Sequence, residues 1–334
     1  MRVGAPAHRE LTEDGGGGRP GPLTLRVSVL DRCQYACPYC RPGAIDPFFG
    51  REELLCGSAY ARLAPAFVRA GVTKVRFTGG EPLLRPDLAS IVAAFRAASP
   101  TLDLALTTNG QLLPRRLGAL VDAGLERATV HVDSLRPDRY RALMGDADVG
   151  AVLDGALTAA SALREVKVNT VVQRGKNDDE LLDFLALSAC HGVEVRFIEL
   201  MNTGSAVDYT REVFVSGREI VESIRRARGA TAVPRRHAAD PAALYRTDDG
   251  LVFGVIASDT ESFCASCNRL RLTADGDLRG CLYQDRGVDL RRAAASGDAS
   301  AIDDAIRAAT LSKRSFHPSV APRRLLFSMA RTGG

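Results

Sequence analysis

Apolar and polar residues alternate in short runs along most of this chain. Leu-Thr-Leu-Arg-Val-Ser-Val at 23–29 puts an apolar side chain at every second position, the period of a strand with one buried face. Runs of the same kind recur at 74–79, 102–108, 127–132, 166–172 and 193–200. Between them the period lengthens. Leu88, Ile91, Val92 and Phe95 fall at helical spacing within 87–98. Leu153 to Leu163 reads as a second amphipathic helix. Asp178 to Ala189 reads as a third, whose opening pair Asp178-Asp179 suits the positive end of a helix. Six strand–helix units over 23–228 predict an α/β fold, a partial (β/α)6 barrel of the TIM type. Six units leave such a barrel open on one side.

Near Gly229 the pattern changes. An Ala- and Pro-rich loop is followed by short β-type runs, with turn signals at Asp248-Asp249-Gly250 and Ala274-Asp275-Gly276. Helical stretches are predicted at 288–296 and 300–310. The chain therefore divides into a flexible lead-in at 1–22, a barrel at 23–228 and a C-terminal α+β segment at 229–334, which ends in Gly333-Gly334.

Composition narrows the class. At 46% hydrophobic and 25% charged, the 334 residues exclude a globally disordered chain. No apolar run approaches the roughly 18–20 residues that cross a membrane. The N-terminus lacks the apolar core of a secretion signal, so a cytoplasmic protein is expected. A net charge of +4 is too mild to imply nucleic acid. Among the 44 Lys and Arg residues the lysines are Lys74, Lys167, Lys176 and Lys313. Arg26, Arg76, Lys167 and Arg196 lie on predicted strands, where a charge is costly unless paired. Either a salt bridge or a bound polyphosphate would satisfy them.

Six of the eight cysteines form two tight groups. Cys33, Cys37 and Cys40 follow the first strand with CxxxCxxC spacing, at the end of a parallel barrel where active sites form. Three thiolates can hold three corners of a [4Fe–4S] cubane and leave the fourth iron open, whereas structural zinc usually takes four protein ligands. Cys264, Cys267 and Cys281 form the second group, where thiolate ligands suit zinc as well as an iron–sulfur cluster. Cys56 and Cys190 are isolated and read as small hydrophobes.

The first spacing resembles the signature of the radical S-adenosylmethionine (SAM) superfamily, and Thr78-Gly79-Gly80-Glu81-Pro82 resembles its GGEP motif. FCASCNRLRLTADGDLRGCL at 263–282 resembles the auxiliary-cluster motif of the MoaA family, the GTP 3′,8-cyclases of molybdenum cofactor biosynthesis. LRVSVLDRC, KVRFTGGEPLLRPDL, TTNG, VKVNTVVQRGKNDDE and VRFIELM resemble that family in order, as does the final Gly-Gly.

The resemblance implies a lyase with two [4Fe–4S] clusters, one on each cysteine group. It places SAM against Tyr39, Gly80, Glu81, His131 and Met201. It places GTP against Arg26, Arg76, Thr107, Lys167, Arg196, Arg269, Leu270 and Arg271, with Arg269, Arg271, Gly333 and Gly334 serving catalysis. A 5′-deoxyadenosyl radical would take the ribose 3′ hydrogen and C3′ would bond to C8 of the guanine. The product, (8S)-3′,8-cyclo-7,8-dihydroguanosine 5′-triphosphate, would pass to a pyranopterin monophosphate synthase. A flavodoxin or ferredoxin would supply electrons to a monomer or homodimer. Three positions depart from the family pattern: Arg41 for Met, His131 for Ser and Asn202 for Pro. They leave room for a paralogue acting on another nucleotide or on a peptide. A non-enzymatic electron-transfer protein is the other alternative.

Anaerobically reconstituted protein is expected to hold about eight iron atoms, four per group. Replacing Cys264, Cys267 and Cys281 together should halve that number. Unchanged iron, or stoichiometric zinc, overturns the second cluster.

Overall fold

A computed structural model describes residues 22–40, 47–201, 211–237, 239–315 and 329–332. Most of the lead-in, Arg41, Asn202 and Gly333-Gly334 lie outside these residues.

The predicted strands form. They are β1 (Leu23–Ser28), β2 (Val72–Thr78), β3 (Asp103–Thr108), β4 (Arg127–His131), β5 (Glu165–Val172) and β6 (Glu194–Glu199), paired in parallel and in sequence order. The later strands are β7 (Thr231–Val233), β8 (Ala243–Arg246), β9 (Val252–Ile256), β10 (Arg269–Leu272), β11 (Asp277–Arg279) and β12 (Val288–Asp289). They do not build a sheet of their own. β9 pairs in parallel with β6, and β10 pairs in parallel with β1. The C-terminal segment thus extends both edges of the six-stranded sheet. The eight strands β10, β1 to β6 and β9 run parallel, and antiparallel hairpins continue the sheet beyond each end.

Alternation sorts the side chains. Leu25, Val27, Val75, Phe77, Val195 and Phe197 are fully buried beneath the helices. Helix Gly57–Arg69 contributes Tyr60, Leu63 and Phe67 to the same layer, and helix Leu88–Ala98 contributes Leu88, Ile91, Val92 and Phe95, as its spacing predicts. At about 25 cal/mol per Å² of apolar surface, this outer layer supplies the main stabilisation.

Several element boundaries differ from the sequence reading. The third helix starts at Leu181 behind Glu180, not at Asp178. Asp178 instead accepts from the Gly175 backbone N–H, Asp179 pairs with Arg139, and Glu180 takes bonds from Ser134 and Leu135. Helix Val149–Ala162 begins four residues before Leu153, because the Asp148 side chain caps it by accepting from Gly150 at 2.9 Å. Residues 288–289 pair as β12, and the helix predicted there spans Arg291–Ser296.

Buried carboxylates tie the strand ends together. Glu81 is fully buried and accepts from Leu83 N at 2.9 Å, Thr108 Oγ1 at 2.7 Å and Asn109 N at 2.7 Å, joining the end of β2 to the end of β3. Glu199 accepts from the N–H groups of Gly217, Asp259 and Thr260, joining β6 to the segment after β9. Gly79, at φ +148°, and Gly80 run against the cysteine loop. A Cβ on them would stand 2.1 Å from Leu30 O and 2.3 Å from Arg32 O. The Gly80 and Glu81 N–H groups donate to those same two carbonyls. Only glycines allow this contact.

Glu81→Gln turns one acceptor oxygen toward donors as an NH2 group. The variant is expected to lose about 1–3 kcal/mol of unfolding free energy, measured by urea denaturation. A loss below about 0.5 kcal/mol overturns the tethering role.

Candidate active site

The inner face of the sheet is polar. TIM-barrel interiors are ordinarily packed with bulky branched side chains. Here the inner positions of β1, β2, β4 and β10 read Thr24-Arg26-Ser28, Lys74-Arg76-Thr78, Arg127-Thr129-His131 and Arg269-Arg271. Paired residues of neighbouring strands share a face, so register brings these side chains together. Arg26 stands between Arg76 and Arg271, Lys74 opposite Asp103, and Thr129 between Thr107 and Lys167. Arg196 lies opposite Asn169 and Gly254. A Cβ on Gly254 would stand 3.0 Å from the Arg196 side chain, so the glycine makes room for it.

The cations gathered here are Arg26, Lys74, Arg76, Arg127, Lys167, Arg196, Arg236, Arg269 and Arg271. Arg76 donates to Thr107 Oγ1 at 3.0 Å and Thr129 Oγ1 at 2.9 Å. Lys167 lies 3.0 Å from Glu165 and 3.4 Å from Glu194, and Arg196 lies 2.6 Å from Glu194. Arg127 bridges Asp103 and Glu165, while Arg236 reaches Glu165 and Glu194. Arg269 donates to Ala239 O and lies over the Phe263 ring, and Arg271 donates to Thr332 O.

Among the described residues Lys74, Arg127, Lys167, Arg196 and Arg236 share the carboxylates of Asp103, Glu165 and Glu194. Burial, together with neighbouring arginines, pushes Lys74 down to about 8 and Arg76 to about 10. Burial and Arg269 push Arg271 to about 10. Burial works against ionising Glu165, but Lys167, Arg127 and Arg236 outweigh it and hold the group at about 2. Ser28 Oγ and Asn169 Oδ1 are buried on this face with no hydrogen-bond partner among the described residues.

The two cysteine groups sit at opposite ends of the barrel. Cys33, Cys37 and Cys40 follow the carboxyl end of β1. Cys264 and Cys267 precede β10 and Cys281 follows its antiparallel partner β11, so this group lies at the amino end. The cationic face lies between them.

All six cysteines are half-buried. Cys33 Sγ accepts from Tyr35 N at 3.3 Å and Asn109 Nδ2 at 3.8 Å. Burial pushes Cys33 and Cys37 up, a cost that iron ligation in place of the proton removes. At the second group burial again opposes ionisation, yet Lys313 and Arg269 pull Cys267 below its ordinary value. Among the described residues no three His, Cys, Asp or Glu side chains converge on one point suited to a single metal ion. In a cubane each thiolate binds a different iron, so such convergence is not required. Two sets of three thiolates without histidine therefore fit iron–sulfur clusters.

The residues expected near SAM divide. Tyr39 OH donates to Asp133 at 2.5 Å and lies 2.6 Å from His131 Nε2, and His131 lies 3.0 Å from Asp133. Burial alone would lower the His131 pKa, but Asp133 raises it. Met201 is half-buried just past β6. Glu81 and Gly80 are engaged with the chain as described above. Leu270, expected with its arginine neighbours, lies between them on β10 with its side chain in the apolar core.

Sequence reasoning missed Lys74, Arg127 and the three carboxylates. Lys74 was legible, since it stands two residues before Arg76 on one strand and so shares its face. Arg236 lies in a loop of no fixed period and gave no such signal.

Residues 27–187 match the family described as the Radical SAM superfamily, and residues 193–318 match Molybdenum Cofactor Synthesis C. The chain is 40% identical over 284 residues to GTP 3′,8-cyclase 3 of Mycobacterium tuberculosis, covering 84% of this chain and 75% of that one. It is 41% identical over 271 residues to GTP 3′,8-cyclase of Aquifex aeolicus, covering 80% and 84%. Streptococcus suis SuiB bound to S-adenosylmethionine superposes with a TM-score of 0.59 at 13% identity. That match covers 79% of this chain and 61% of SuiB, and it shows the fold alone.

The depressed Lys74 sets a pH dependence. A triphosphate beside it favours the protonated amine, so affinity is full below pH 8 and falls as pH rises through 8 and above. The limit for one proton is about tenfold per pH unit. Calorimetric titration with GTP at pH 7, 8 and 9 should show the fall, and Lys74→Met should flatten it. A parent whose affinity is constant from pH 7 to 9 overturns the assignment.

Proposed function

This chain belongs to the GTP 3′,8-cyclase family of the radical SAM superfamily, and from that premise we propose how its barrel holds and turns over GTP. It is a radical SAM lyase of molybdenum cofactor biosynthesis, converting GTP to (8S)-3′,8-cyclo-7,8-dihydroguanosine 5′-triphosphate. One observation carries the reading. The barrel interior is lined with buried arginines, Arg26, Arg76 and Arg271, side by side between two groups of three half-buried cysteines.

The triphosphate lies among Arg26, Lys74, Arg76, Lys167 and Arg196. Guanidinium and ammonium donors in a water-poor interior suit phosphate oxygens. Thr107 and Thr129 hold Arg76 in place through its Nη1. Arg269 and Arg271, at the end that carries the second cysteine group, position the guanine. Fixing both ends of the nucleotide sets the ribose between them and restricts which C–H faces the reacting end. Tyr39, His131 and Met201 border the SAM site at the carboxyl end.

Cys33, Cys37 and Cys40 hold the [4Fe–4S] cluster that, with SAM bound, supplies the 5′-deoxyadenosyl radical. Cys264, Cys267 and Cys281 hold a second cluster. A flavodoxin or ferredoxin serves as electron donor, and a pyranopterin monophosphate synthase takes the product. No helix among the described residues is long and apolar enough to cross a membrane.

Arg76→Ala removes one charged donor worth roughly 1.5–3 kcal/mol, so GTP binding should weaken roughly 10- to 150-fold. Anaerobic calorimetry beside the parent, with ATP as control, measures it. SAM cleavage to 5′-deoxyadenosine should continue. Unchanged GTP affinity in the variant, or equal affinity of the parent for ATP, overturns the reading.

A further inference from the structure

Helix Ala299–Ser315 brings a lysine to the second cysteine group. Lys313 Nζ lies 3.0 Å from Arg269 O, 3.0 Å from Gly280 O and 3.3 Å from Cys267 Sγ. An ammonium has three hydrogens to donate, and these three acceptors match that number. One carbonyl comes from the start of β10 and the other from the residue before Cys281, so the amine spans the two strand ends that carry the cysteines. The close seat is built into the sequence at residue 280. A Cβ there would stand 2.9 Å from both Ala309 O and Lys313 N, so only glycine lets the helix approach this far.

The two cysteine groups differ in what surrounds their sulfurs. Cys33 receives bonds from a backbone N–H and an amide, both neutral. Cys267 faces two cations, Lys313 and the Arg269 guanidinium, whose Nη1 is 3.6 Å away. Cluster potentials respond to hydrogen bonds on the sulfurs and to nearby charge. We propose that Lys313 is a positioning residue for the second cluster: its ammonium pins Cys267 between β10 and β11 and favours the cluster's one-electron-reduced form. The inference rests on the reading that Cys264, Cys267 and Cys281 hold a [4Fe–4S] cluster. The step concerned is the addition of one electron from an external reductant, dithionite in the test, with no bond broken and no proton taken up.

The experiment is a redox titration followed by electron paramagnetic resonance on anaerobically reconstituted full-length parent, Lys313→Met and Lys313→Gln, with iron counted in each. Adding SAM identifies the first cluster's signal. With both clusters loaded, either variant should show the reduced-to-oxidised ratio of the second cluster lowered about tenfold at fixed potential, ~59 mV for one electron. The first cluster should not move. A loaded variant with the parent's midpoint overturns the proposal. Loss of the second cluster's iron in both variants also overturns it, in favour of a purely structural pin. A parent with only about four irons overturns the underlying cluster reading and is recognised before any variant is compared.

Discussion

Like charges brought together inside a barrel repel one another, and water is too scarce there to screen them. The interior of this protein depends on that constraint. Arg26, Arg76 and Arg271 stand side by side on adjacent strands, and each is depressed by burial and by its neighbours. Such an arrangement contributes little cohesion of its own. The sheet is held from outside, by the apolar layer beneath the helices, and at its rims, by buried carboxylates such as Glu81 and Glu199. The interior is thereby free to be shaped for an anion. Among the described residues Asp103, Glu165 and Glu194 hold Lys74, Arg127, Lys167, Arg196 and Arg236 in place.

The two faces of the sheet therefore obey different rules, and sequence reasoning met them unequally. The outer face follows the ordinary period of two, so β1 to β6 and the helix over Leu88–Ala98 were legible with small errors at their ends. Those errors have local causes. A side-chain cap at Asp148 starts a helix in a stretch too poor in large apolar residues to show a period. Asp178 and Asp179 are spent on a turn and on Arg139, which leaves Glu180 at the helix start.

The joining of β9 and β10 to the barrel was not legible. Strand identity depends on the strand's own residues, but its neighbours depend on contacts hundreds of positions away. Of the site, the cysteine groups, the arginines of β1, β2 and β6 and Lys167 of β5 could be read from spacing and from the cost of charge on a strand, whereas Arg269 and Arg271 of β10 came from the family resemblance alone. The opposite placement of the cysteine groups in the barrel could not be read, because it follows from β10 running parallel to β1. Arg236 and Lys313 reach the site from a loop and a distant helix, and no local pattern marks them.

The extension of both sheet edges by the C-terminal segment has a consequence for how the protein is made. β1 emerges from the ribosome early, yet its outer partner β10 follows some 240 residues later. β6 likewise waits for β9. Until those strands arrive, β1 and β6 have no outer partners to pair with, and long-range parallel pairings form slowly. The first three cysteines are synthesised long before the sheet is complete, whereas the last three arrive with the strands that extend it. The two cysteine groups are thus separated in time by translation itself, and the nascent chain's exposed edges and thiols are open to aggregation and oxidation throughout that interval.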